Sequence, residues 1–98
     1  MGGTFMLEQI ATDIRNGLDG KNFDGSLKFD CGTDGVIILD NGSVTTREQP
    51  TDCTLRLSTE NLKKLLRGQL NPMTAVMMGK IKISGDMGVA MKLGKLIG

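Results

Sequence analysis

The chain has 98 residues, 39% of them hydrophobic, and its 12 basic and 11 acidic side chains leave a net charge of +1. That size and balance describe one domain with a single core, and the absence of histidine, tryptophan and tyrosine removes the usual general base and most stacking platforms for nucleic-acid bases. No apolar run approaches the ~18 residues of a membrane span and Met-Gly-Gly-Thr-Phe-Met is not a secretory leader, so a cytoplasmic protein is expected.

From Thr4 to Leu18, the residues Leu7, Ile10, Ala11, Ile14 and Leu18 recur at helical spacing while Glu8, Asp13 and Arg15 fall elsewhere. This predicts an amphipathic helix ended by Gly17 and Gly20. Leu27, Phe29 and Cys31 alternate with Ser26, Lys28 and Asp30 in a first strand. Val36 to Leu39 is apolar at every position, as in a central strand covered on both faces. Asn41-Gly42 accepts the positive φ angles of a type I′ turn, which makes Val44 to Arg47 the return strand. Short, polar and followed by Pro50, that strand reads as a sheet edge.

Cys53, Leu55 and Leu57 alternate with Thr54 and Arg56 in a fourth strand. Ser58 or Thr59 then caps a helix with Leu62, Leu65 and Leu66 on one face and Lys63, Lys64 and Arg67 on the other, closed by Gly68. Asn71 as cap, Pro72 at the first helical position and Gly79 as stop define a short helix. Lys80 to Ser84 alternates as a half-buried fifth strand with a dry isoleucine face. Asp86 caps a last helix in which Met87, Val89, Ala90, Met91, Leu93, Leu96 and Ile97 cover most of the circumference. Such a helix needs cover on two sides: the sheet supplies one, and a ligand, another helix or a second subunit the other.

The residues offer little bond chemistry. Cys31 and Cys53 lack a Cys-x-x-Cys spacing, no histidine completes a zinc site, and both read as reduced structural thiols, a disulfide requiring neighbouring strands. Asp30 with Asp34, and Asp19 with Asp24, fall in turn contexts where solvated loop acids are expected. The glycines at 85 and 88 lack the Lys-Ser/Thr ending of a phosphate loop, and tight turn and cap geometry explains them better. No catalytic residues, metal site or cofactor are predicted, and the chain is read as a non-enzyme that does not bind nucleic acid.

Five of the seven methionines, at 73, 77, 78, 87 and 91, fall between Gly68 and Leu93. Thioether side chains suit surfaces that accept variable apolar shapes, so a pocket for an apolar ligand is one reading and an ordinary methionine-containing core the other. Charge is also unevenly placed: residues 1–52 carry four basic and nine acidic side chains, residues 53–98 eight and two. The basic half could lean on an anionic membrane surface or simply present a solvated face.

The order Gly68-x-Leu70-Asn71-Pro72, Ala75, Gly79-Lys80-Ile81-Lys82-Ile83, Gly85-Asp86 and Ala90-Met91-Lys92-Leu93 resembles the sterol carrier protein type-two family of lipid-binding domains. The likeness extends more loosely to Leu39-Asp40-Asn41-Gly42 and to Cys53 through Leu57. It implies an α+β fold: a five-stranded, mainly antiparallel sheet in the order 3-2-1-4-5, covered by helices, with an apolar tunnel between them. By position in that fold, Leu57, Leu66, Met73, Val76, Met77, Ile83, Met87 and Met91 would line the tunnel. The implied partner is a fatty acid, fatty acyl-CoA, sterol or prenyl lipid, and the implied function is intracellular lipid binding and transfer. The alternative is a module that presents lipid, such as a polyprenyl quinone, to partner enzymes without transferring it. The first helical region is shorter than in many relatives, and the hairpin lacks their aromatic residues. A shorter lid suits a long acyl or prenyl chain, or closure by a second copy in a homodimer.

Overall fold

A computed structural model describes residues 2–18 and 25–97, with side chains at 7–17 and 25–93. The expected stop at Gly20, the acids Asp19 and Asp24, and the side chains of Leu18, Leu96 and Ile97 lie outside the described residues. The elements in chain order are α1 (Gly2–Leu18), β1 (Ser26–Asp30), a 3-10 turn (Gly32–Asp34), β2 (Val36–Asp40), β3 (Ser43–Thr45), β4 (Cys53–Arg56), α2 (Thr59–Leu66), α3 (Pro72–Met77), β5 (Lys82–Gly85) and α4 (Met87–Ile97).

The strands form one sheet in the order β3-β2-β1-β4-β5. The β1–β4 pair is parallel and the other three are antiparallel, as the family resemblance implies. Because strand side chains alternate between faces, this register aligns the apolar residues in rows across the sheet. Ile37, Phe29, Leu55 and Ile83 stand side by side, and so do Val44, Leu39, Leu27 and Cys53. These rows carry the core, which is closed by Leu7, Ile10, Ala11 and Ile14 of α1, Leu62 and Leu65 of α2, and Val89 and Leu93 of α4.

Ile38 faces the other way from Ile37 and Leu39 and is nonetheless fully buried. The connection from β3 to β4 has to pass the central strands, and it does so over this second face. Glu48 pairs there with Lys28, and Gln49 Nε2 donates to Asp40 Oδ2 at 3.1 Å. This return path explains why Val36 to Leu39 lacks alternation: β2 is covered from both sides.

Local capping follows the sequence closely. Ser58 Oγ accepts from Asn61 N at 3.1 Å, and Asn71 Oδ1 accepts from Met73 N at 2.9 Å and Thr74 N at 3.2 Å, so side chains satisfy amides that the first helical turn leaves free. Asn41 and Gly42 have φ of 50° and 92°, the positive angles that a type I′ hairpin demands.

Several boundaries differ from the expectations. α1 ends at Leu18 as expected, running through Gly17, but starts at Gly2 rather than Thr4. β4 ends at Arg56, short of Leu57. β1 ends at Asp30 because Cys31 N donates to Gly35 O at 2.9 Å, closing the 3-10 turn. β3 ends at Thr45, whose Oγ1 accepts from Arg47 N at 3.2 Å and turns the chain. β5 starts at Lys82 rather than Lys80, because the amides of Lys80 and Ile81 both donate to Ala75 O, at 2.8 and 3.3 Å. The end of α3 thus captures two residues whose alternation alone suits a strand.

Candidate functional site

The space between the helices and the sheet is not completely filled. A narrow cavity of about 30 Å³ lies among Leu55, Leu65, Pro72, Val76, Ile81, Ile83, Ala90 and Leu93, where α2, α3, β4, β5 and α4 meet. Its walls supply side chains with no hydrogen-bonding groups, so a water there finds few partners and an apolar guest is favoured. A second, larger cleft of about 250 Å³ is walled by Asp13, Ile14, Gly17, Phe29, Leu66, Arg67 and Leu93. Leu93, only 3% exposed, belongs to both. One side chain of α4 therefore stands between two apolar spaces.

The eight residues expected at a tunnel separate into three groups. Val76 and Ile83 line the narrow cavity and Leu66 lines the larger cleft. Leu57 is buried in the core and forms no wall of either space. Met73, Met77, Met87 and Met91 face solvent, 71%, 86%, 53% and 63% exposed, together with Met78 at 63%. Helical spacing explains their placement. Val76 and Ala90 point into the narrow cavity from α3 and α4, and each is flanked on its own helix by methionines three residues before it and one after it. The methionines therefore lie on the outer side of the two helices that bound the apolar space.

Residues that the sequence reading did not assign to the site supply most of the walls: Leu55, Leu65, Pro72, Ile81, Ala90 and Leu93 in one space, and Ile14, Phe29 and Leu93 in the other. Their signal was present as periodicity. Leu55 alternates in β4 on the same face as Cys53, while Ala90 and Leu93 recur at i and i+3 on α4. Methionine composition drew the assignment away from these smaller or stiffer side chains.

Electrostatics supports a site without bond chemistry. The thiol pKa values of Cys31 and Cys53 are both raised, chiefly because burial disfavours the thiolate, with nearby aspartates adding to the effect. Neither thiol is therefore activated as a nucleophile. The two cysteines are free. Leu27 pairs with Cys53 across β1 and β4, which leaves Cys31, four residues further along, offset by roughly 13 Å at ~3.3 Å per residue and out of reach of a disulfide. Among the described residues no group of three or more histidine, cysteine or acidic side chains is placed to hold a metal ion, and no helix is long and apolar enough to cross a membrane.

Comparison with known proteins agrees with this geometry. Sterol carrier protein 2 of Gallus gallus is 46% identical over 56 residues, a match that takes in 56% of this chain and 10% of the chicken protein. The chain thus spans a small part of that relative. The crystal structure of sterol carrier protein 2 like 2 from Aedes aegypti matches with a TM-score of 0.77 at 23% identity, over 95% of this chain and 97% of the mosquito protein. The solution structure of Aedes aegypti sterol carrier protein 2 in complex with the C16 fatty acid palmitate matches with the same TM-score of 0.77 at 15% identity, over 95% and 94% of the two chains. The sequence profile of the SCP-2 sterol transfer family matches residues 8–98, and with the strand order, register and apolar space described above, the chain belongs to that family.

Proposed function

We propose that the protein is a non-enzymatic lipid carrier that takes one apolar chain into the space between α4 and the sheet. The observation that carries this reading is the position of Leu93 between the two apolar spaces: a small displacement of α4 joins them into one channel. In the mosquito complex the same fold accommodates a C16 chain. Burying about 16 methylenes is worth on the order of 13 kcal/mol gross, against roughly 4–15 kcal/mol lost in freedom and ordering. Such a balance gives binding reversible enough for transport.

The methionines of α3 and α4 extend this reading to delivery. They are exposed beside the apolar space, and Lys80 and Lys92 lie close to Met78 and Met91 in the chain. We assign this surface to transient contact with an anionic membrane, where apolar burial and about 1 kcal/mol per nearby lysine both favour attachment. A cytoplasmic carrier exchanging lipid between membranes needs such a contact.

The test is transfer of a pyrene-labelled fatty acid between donor and acceptor liposomes. A carrier accelerates exchange in proportion to its concentration, and more so with anionic acceptors. Tight binding of the fatty acid with no acceleration would overturn transfer and favour the lipid-presenting alternative.

A further inference from the structure

We infer that the exposed face of α2 is a head-group site for a single-chain amphiphile with an anionic head, carboxylate or phosphate, whose chain enters the adjoining apolar cleft. This rests on the carrier reading and narrows it to one class of lipid. Arg67 carries the inference. It is a wall of the 250 Å³ apolar cleft and equally a wall of a broad polar trough of about 580 Å³ that runs along α2. Lys63 and Lys64 line the same trough, four and three residues before Arg67 and so on the same side of the helix. Among the described residues none of these three cations has a carboxylate within ion-pairing distance, the ion pairs being Lys28–Glu48 and Arg56–Asp30.

The acids nearby are unevenly placed. Asp34 and Glu60 line the trough at the opposite end, beside the start of α2. Asp34 already accepts from Thr59 Oγ1 at 2.6 Å, and Glu60 is ~10 Å from Arg67 along the helix axis at 1.5 Å per residue. Asp13 lines the cleft itself and opposes an anionic head there, and Glu60, three and four residues before Lys63 and Lys64, opposes it from the lysine end of the trough. Cations in a last helical turn also complement the helix dipole, but that role needs no apolar cleft beside them. Here a forked guanidinium suited to bidentate contact with carboxylate or phosphate borders a space with Ile14, Phe29, Leu66 and Leu93 for walls. A neutral sterol hydroxyl makes no use of three cations.

The experiment measures displacement of Nile red by dodecanoate, dodecyl phosphate and dodecanol, with sodium acetate and inorganic phosphate as chain-free anions. Arg67→Gln should lower the acid-to-alcohol affinity ratio about tenfold, Arg67→Lys should restore part of it, and Asp13→Asn should raise it two- to threefold. Lys63→Gln with Lys64→Gln, both on the helix exterior, should lower it in the same direction and serves if Arg67→Gln fails to fold. A ratio unchanged by these substitutions overturns the head-group site and leaves the carrier reading standing. Displacement by acetate or phosphate as strong as by dodecanoate overturns it too, since the anion alone would then suffice. Failure of all three dodecyl compounds to bind the wild-type protein removes the carrier reading and the head-group site together.

Discussion

At Gly85 the backbone leaves the sheet with φ of +93°, and a Cβ there would strike the carbonyl oxygen of Asp52. That same carbonyl accepts the Asp86 amide at 2.8 Å, so the close approach launches α4 from the end of β5. Gly79 has a similar φ of +78° but open space around it. Gly85→Ala is therefore expected to cost about 2 kcal/mol or more and Gly79→Ala about 1 kcal/mol; chemical denaturation of the two variants gives the comparison, and equal losses would mean that the Asp52 contact can relax. Both glycines were legible in the sequence as turn or stop residues, because that signal is local. Which of them is also sterically confined was not, since Asp52 lies 33 positions away from Gly85 in the chain. The same distinction separates the wall residues from the methionines. Composition says that a thioether suits an apolar ligand, whereas Val76 and Ala90 turn inward because of where α3 and α4 sit on the sheet.

Among the elements, α4 starts from a side-chain cap and sets one residue between the two apolar spaces. Asp86 Oδ1 accepts from Gly88 N at 2.8 Å, and Val89 and Leu93 are its fully buried described side chains, while Met87 and Met91 remain outside. Because Leu93 stands between the two apolar spaces, a chain that occupies both has to shift α4. Saturating fatty acid is expected to slow amide hydrogen exchange in residues 86–97 about tenfold or more, with a smaller change in β1 and β2; equal exchange with and without lipid would count against movement of α4 as the route of uptake. Element identity was largely legible, since caps such as Ser58, Asn71 and Asp86 and the Asn41-Gly42 turn are short-range signals. Boundaries were less so where two elements compete for the same amides, as Ala75 does for Lys80 and Ile81. The strand order came from the family resemblance, because alternation alone does not say that β4 lies beside β1 rather than beside β3.

For the molecule as a whole, an apolar interior is bordered by two unlike surfaces, one carrying methionine on α3 and α4 and the other carrying cations on α2. The division follows from the sheet: β4 and β5 extend it past β1, and α2, α3 and α4 all lie against that extension around the narrow cavity. Exposure of the thioethers has a chemical consequence. Met73, Met77, Met78, Met87 and Met91 are open to peroxide, whereas the packed core is not, and each sulfoxide replaces an apolar tip by a polar one. Mild peroxide treatment is expected to add oxygen to these five, as peptide mass spectrometry reads, and to weaken vesicle attachment while the circular dichroism spectrum is retained. Methionine sulfoxide reductase should then restore attachment. A carrier built this way would lose its grip on membranes under oxidative stress before losing its fold.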